Sequence, residues 1–189
     1  MEDRIKKLIP GIIVCAFVIF GVFNLFFPVK SLSDVWSYIG YAISIDSILV
    51  IFYSMFLWRL NPFEKLPRLK KYYKGEIHSN YKKAPNDGKK EIVVEITQTL
   101  FSTRVITRTD INNSVSVYGT VVEENGQQVL YYTYLTNPNA STIKKNPIQY
   151  GTCRFVISDS KKIQGRYWTN IETSGDIILT ACKKNDAVL

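Results

Sequence analysis

Ser114-Val115-Ser116-Val117-Tyr118-Gly119-Thr120-Val121-Val122-Glu123 and Gln127-Gln128-Val129-Leu130-Tyr131-Tyr132-Thr133-Tyr134-Leu135 flank the turn Glu124-Asn125-Gly126. Both runs are rich in β-branched and aromatic residues, and both alternate with a period of two. An Asn-Gly pair between two such runs is a strong hairpin signal. The same pattern extends in both directions. It predicts strands at 71–81, 91–99, 103–109, 114–123, 127–135, 150–158, 162–169 and 175–183. Turn residues separate them at Pro85-Asn86-Asp87-Gly88, Asp110-Ile111-Asn112-Asn113, Asp159-Ser160 and Ser174-Gly175, and Asn137–Pro147 forms one long loop. Alternation predicts inward rows at Ile92, Val94 and Ile96; at Val115, Val117, Gly119 and Val121; at Cys153, Phe155 and Ile157; and at Ile177, Leu179 and Ala181. Eight short antiparallel strands predict a small up-and-down β-barrel, a closed form that leaves no exposed edge. A two-sheet sandwich is the alternative.

The residues before this region are of another kind. The first 58 carry four basic and four acidic side chains, so the whole net charge of +8 falls on the remainder. Leu8–Val29 is uncharged, and Trp36–Trp58 is broken only by Asp46, near its middle. About 20 apolar residues at 1.5 Å rise cross a hydrocarbon core of about 30 Å. Both stretches therefore predict membrane spans, and the short link Lys30–Val35 folds them into a helical hairpin. Trp36, Tyr38, Tyr53 and Trp58 lie near the ends of the second span, as interfacial aromatics do. A cleaved signal peptide is the competing reading of the first span, but its apolar run is too long and no small-residue cleavage site follows. Arg4, Lys6 and Lys7 precede the first span, and Arg59, Lys65, Arg68, Lys70, Lys71 and Lys74 follow the second. The positive-inside rule then places both termini in the cytoplasm. The expected plan is a transmembrane hairpin over 1–60, a basic juxtamembrane linker over 61–70 and a cytoplasmic barrel over 71–189. A carboxylate at mid-span faces other helices or water. Asp46 is read as a packing or pore-lining position in an oligomer, or as a protonated group bonded within the hairpin. Asn24, Ser44 and Ser47 are candidates for the same face.

Enzyme signatures are missing. His78 is the single histidine, and Cys15, Cys153 and Cys182 lack zinc-ligand spacing. There is no P-loop, dinucleotide fingerprint or nucleophile elbow. What remains is a cationic, tyrosine-rich domain. Tyr132 and Tyr134 share one strand face, Arg104 and Arg108 share another, and Gly165-Arg166-Tyr167-Trp168-Thr169-Asn170 ends a third strand. Arginine forks pair with phosphates, and aromatic faces stack on bases. Two readings stay open at this point. The barrel takes a phosphorylated, base-bearing small ligand, or its aromatics fill the interior while the cations solvate the outside. Membrane tethering and a closed small barrel argue against DNA or RNA as the partner.

Order and spacing of motifs carry a family resemblance. Ile96-Thr97-Gln98-Thr99, Ser114-Val115-Ser116, Leu130 with Tyr132, Tyr134 and Pro138, Gly151-Thr152, and Gly165-Arg166-Tyr167-Trp168-Thr169 with Thr173 and Gly175 occur in sequence. Together with the two preceding spans, they resemble the CD-NTase-associated protein 15 effectors of bacterial CBASS anti-phage defence. Ile77, Thr136 and Ile171 depart from that pattern. The resemblance implies a non-enzymatic effector in the bacterial inner membrane. A nucleotidyltransferase encoded nearby would make a cyclic dinucleotide, the barrel would bind it without other cofactor or metal, and homo-oligomerisation would break the membrane. It places the ligand at an open barrel end or between barrels, with Tyr132, Tyr134, Arg104, Arg108, Thr169 and Asn170 as contacts, and gives Asp46 and Asn24 to helix or oligomer contacts. A tethered, lipocalin-like barrel for a lipophilic molecule or protein partner is the alternative.

Overall fold

The computed structural model describes residues 2–80, 88–110, 112–138 and 148–188. The chain divides into two compact units, Met1–Pro62 and Phe63–Leu189. The first holds helices α1 (Glu2–Phe26) and α2 (Leu32–Met55), followed by a short 3-10 helix, Leu57–Leu60. Both long helices are long and apolar enough to cross a membrane. They begin and end earlier than composition suggests. Ser31 caps α2 in a capping box: its side chain accepts from the Asp34 N–H, while the Asp34 carboxylate accepts from the Ser31 N–H at 2.9 Å. This polar cap starts the helix ahead of the apolar run. The helices pack through Phe23 against Tyr38 and Tyr41, with ring centroids 5.7 and 5.5 Å apart. The Tyr38 hydroxyl donates to the Phe27 carbonyl at 2.7 Å, closing the hairpin turn.

The second unit is a closed barrel of eight antiparallel strands in sequence order: β1 (Tyr72–Ser79), β2 (Lys89–Gln98), β3 (Thr103–Arg108), β4 (Asn112–Glu124), β5 (Gln127–Pro138), β6 (Tyr150–Asp159), β7 (Lys162–Thr169) and β8 (Ser174–Ala181). β8 pairs with β1, with Tyr73 opposite Ala181 and Ser79 opposite Gly175, so no edge remains. Asn125 and Gly126 both take positive φ, 48° and 78°, as a two-residue hairpin turn requires. Residues 81–87, 111 and 139–147 fall outside the described residues. The expected turn at Pro85-Asn86-Asp87, the residue Ile111, the end of the first strand at Tyr81 and most of the long loop lie there.

The inward rows fill the barrel. Ile92, Val94, Ile96, Val105, Val121, Leu130, Phe155, Ile163, Ile177 and Leu179 are all buried, each side chain contributing about 1.5–3 kcal/mol by its removal from water. One expected row is corrected. Val115 and Val117 point outward, at 39% and 74% exposure, whereas Gly119 and Val121 point in. Ser116 pairs with Tyr134 and Tyr118 pairs with Thr133, so Val117 is the extra residue of a β-bulge. An extra residue inverts the alternation, and Ser114 and Ser116 take the inner row instead. Ser116 Oγ accepts the Val105 N–H at 2.9 Å, satisfying a donor that the disrupted ladder leaves open.

The segment expected as a linker is partly built into this unit. Leu69 is buried, and Gln98 clamps its backbone: Oε1 accepts the Leu69 N–H at 3.1 Å, and Nε2 donates to the Pro67 carbonyl at 2.9 Å.

Candidate ligand-binding site

The strand directions give the barrel two unlike ends. The chain enters at Tyr72, and the same end carries the turns before β3, β5 and β7. Toward it the interior is aliphatic, built from Val94, Ile96, Val105, Val121, Ile157, Ile163 and Leu179. Toward the opposite mouth the inner rows turn polar: Ser79, Thr107, Ser114, Thr136, Tyr134, Tyr167 and Thr169, with Tyr132 beneath them.

Cross-strand pairing seats the aromatics. Tyr132 faces Gly119, Tyr134 faces Gly151, Phe155 faces Gly165 and Tyr167 faces Gly175. At Gly151 and Gly175 the partner's ring occupies space that a side chain would claim, whereas at Gly119 and Gly165 the neighbouring backbone does. At Gly151 a Cβ would sit 2.7 Å from Tyr134 Cε1 and closer still to its Cζ and hydroxyl oxygen. Tyr132 stacks on Phe155, with centroids 6.0 Å apart and planes within 6°, and its centroid lies 5.9 Å from that of Tyr134. The Tyr132 hydroxyl lies against the Cys153 thiol and the Thr107 hydroxyl. Tyr167 donates to Ser79 Oγ at 2.8 Å. Thr169 and Thr173 share a hydroxyl bond of 2.7 Å at the rim.

Burial sets the protonation of this group. Desolvation pushes the Tyr132 and Tyr134 phenols well up from their ordinary value, and the Cys153 thiol up to about 12. Tyr167 is raised for the same reason, against the opposing effect of its bond to Ser79. All four are neutral at physiological pH. The mouth therefore offers uncharged hydroxyl donors and aromatic faces, suited to phosphodiester oxygens and base edges. Lys90 holds the inner-row register at the mouth end of β2, opposite Ile77, and is half-buried. It brings a positive charge to the rim.

The expected contacts divide between two surfaces. Tyr132, Tyr134 and Thr169 lie on the inner wall. Asn170 is on the rim, where its Oδ1 accepts the Tyr150 N–H at 3.0 Å. Arg104 and Arg108 are exposed on the outer wall, because the inner row of β3 is Thr103, Val105 and Thr107. Arg108 pairs there with Glu95 at 3.4 Å. One pocket cannot gather these arginines and the tyrosines through the barrel wall. Sequence reasoning missed Thr107, Thr136 and Lys90 as mouth residues and had Tyr167 only as part of the Gly165–Asn170 segment. The Ser114-Val115-Ser116 motif was the available signal for that polar row.

In the helical unit, Asp46 is buried at 5% exposure, in hydrogen-bonding contact with Cys15 on α1. Asn24 is occupied elsewhere: its Oδ1 accepts the Val29 N–H at 3.1 Å in the connecting turn. Nine residues of helix, about two and a half turns, separate it from the Cys15 level. Ser44 and Ser47 donate to the carbonyls of Gly40 and Ile43, one turn back on their own helix.

A family described as "Cap15, cyclic dinucleotide receptor domain" matches residues 64–181, which is the barrel with its docked entry segment. The chain belongs to the Cap15 family. CD-NTase-associated protein 15 of Staphylococcus schleiferi is 35% identical over 148 residues, covering 77% of this chain and 79% of that protein. The match reaches beyond the barrel, since the receptor region alone is shorter than 148 residues. Much of what marks the Cap15 pattern here has a structural role. Gln98 clamps the entry segment, Ser116 repairs the bulge, and Gly151, Gly165 and Gly175 make room for inner-row aromatics and close strand approach.

Proposed function

We propose that this chain is a CBASS effector whose barrel binds a cyclic dinucleotide at the mouth opposite its chain entry. The observation that carries the reading is the inner wall of that mouth. It presents neutral tyrosines and hydroxyls around a rim with Lys90, inside the region matched by the receptor family. In this account Tyr134, seated on the buried Tyr132, stacks with or edges the bases, Thr169 donates to phosphodiester oxygens, and Lys90 balances their charge. Residues 8–58 anchor the chain in the bacterial inner membrane as two spans, with both termini cytoplasmic, as the flanking basic residues favour. Ligand binding favours an assembled state of the chain, because only differential affinity shifts such an equilibrium. Assembly brings the α1–α2 hairpins together and the membrane loses integrity. Asp46, desolvated against Cys15, serves helix contacts within that assembly. No step makes or breaks a covalent bond, and the nucleotide comes from a CD-NTase acting with the effector.

Calorimetry with a panel of cyclic dinucleotides tests the receptor step. The wild-type barrel should bind at least one of them. Thr169→Val and Lys90→Ala should each weaken that binding by about tenfold, the size of one charge-assisted hydrogen bond of about 1.5 kcal/mol. A barrel indifferent to every cyclic dinucleotide would overturn the reading.

A further inference from the structure

The entry end of the barrel carries a second surface. Lys70 and Lys71 precede β1, Lys161 lies in the turn into β7 and Lys162 begins that strand, and Lys183 and Lys184 follow β8. These pairs are distant in sequence, yet hydrogen bonds gather them onto one rim. The Tyr73 hydroxyl accepts the Lys70 N–H at 2.9 Å and donates to the Ser160 carbonyl at 2.7 Å, joining the entry segment to the β6–β7 turn. The Ala181 N–H donates to the Lys161 carbonyl at 2.7 Å, and the Cys182 N–H donates to the Tyr72 carbonyl at 3.0 Å. All six lysines are exposed. Asp159 and Asp186 sit on the same turns, and Glu95 pairs with Lys71 at 3.7 Å. Six lysines against these three carboxylates leave the arc net cationic. Where β1, β7 and β8 reach the other mouth, the charges are more even: Glu76, Glu172 and Asp176 stand against Arg166 and against Lys89 and Lys90 of the neighbouring β2.

We infer that this lysine arc is a docking surface for anionic phospholipid headgroups. Three observations support lipid as the partner. The arc is discontinuous in sequence but continuous in space, so it is a property of the folded barrel and not of a basic tail. It lies at the end where the chain enters, and only the short stretch between Met55 and Tyr72 separates that strand from an apolar helix long enough to span a bilayer. Lysine ammoniums are compact, strongly hydrated charges, suited to a diffuse anionic layer more than to one bidentate partner. With this rim held on lipid, the opposite mouth faces away from the surface. This inference stands apart from ligand recognition, since the two surfaces lie at opposite ends.

The barrel forms a compact unit with its own core and closed sheet, so residues 63–189 can be tested alone, with circular dichroism confirming the fold of each variant. The probe is co-sedimentation with vesicles of phosphatidylcholine alone and with vesicles that include phosphatidylglycerol, at low and physiological salt. Wild type should bind only the anionic vesicles, and salt should weaken that binding. Lys161→Gln/Lys162→Gln and Lys183→Gln/Lys184→Gln should each lower partitioning about tenfold or more, given the contribution of each lysine near such a surface. Lys89→Gln/Arg166→Gln removes as much charge at the far end and should change it less than about twofold. Failure of wild type to bind anionic vesicles would overturn the inference. So would an equal loss in the far-end variant, which would make net charge the cause. Calorimetric ligand affinity should be unchanged in both rim variants.

Discussion

Gly151→Ala probes the seat of Tyr134. The two residues face each other across the β5–β6 ladder, and an added methyl would fall 2.7 Å from Cε1 and closer still to Cζ and the hydroxyl. Comfortable carbon contacts begin near ~3.5 Å, so the ring must retreat by roughly 1 Å. The obstacle is the far end of a side chain, and the mouth gives it somewhere to go. The strand pairing should survive, at an overpacking cost of about 1–2 kcal/mol, the lower part of the usual range. Gly119→Ala offers a contrast, because the methyl there would meet the Thr103 carbonyl oxygen, which cannot swing aside. That variant should be destabilised by about 3 kcal/mol or more, or fail to fold. A leucine at 134 ends short of the contested space. In a Tyr134→Leu background the Gly151→Ala penalty should therefore shrink to about 0.5 kcal/mol or less, a coupling of about 1 kcal/mol. Urea unfolding of the four proteins of that cycle, followed by circular dichroism, gives the number. Gly151→Ala alone should also weaken cyclic dinucleotide binding about tenfold or more, since the displaced ring enters the mouth. Additive penalties would refute the placement of the ring.

Other consequences concern pH, the outer wall and the membrane segment. Cys153, Tyr132 and Tyr134 have folded pKa values above their unfolded ones, so the stability they allow is intact below pH 9 and declines as the unfolded chain ionises first. Cys153 alone, at 9.0 unfolded and about 12 folded, should cost up to roughly 4 kcal/mol by pH 12, and Cys153→Ala should flatten the fall between pH 9 and 12 in denaturant titrations. Arg104→Ala lies on the outer wall and should leave ligand affinity within about twofold in calorimetry, well under 1 kcal/mol, whereas Thr169→Val should not. Asp46→Ala should preserve ligand binding by the full chain but abolish its toxicity on expression with the nucleotide source, and undiminished killing would remove Asp46 from the membrane step.

The strands were readable because the signals for each are local. Alternation and turn residues place all eight within a few residues, and Asn125-Gly126 fixes one hairpin outright. Closure was less legible, because the same eight strands also suit a two-sheet sandwich, and the β1–β8 ladder decides between them. Faces were readable only while the period of two held. Val117 breaks it by one residue, and nothing in a run of alternating Val and Ser marks which residue is extra. Arg104, Arg108, Tyr132 and Tyr134 show the deeper limit. Period-two reading groups residues within a strand, but which parity faces inward depends on partners elsewhere. β3 turns its odd positions in, and β5 its even ones. The helix ends were hidden for a similar reason. Hydropathy marks the apolar stretch, whereas the polar Ser31–Asp34 capping box decides where α2 begins.

Joining ligand to membrane damage is the account's main commitment, and it can be put to a single preparation. Full-length protein reconstituted in anionic vesicles loaded with a self-quenched dye is given the cyclic dinucleotide that calorimetry selects. The account predicts dye release that depends on ligand, saturates at barrel occupancy and vanishes for residues 63–189 alone. Full occupancy without release, or equal release from the barrel lacking α1 and α2, would contradict it.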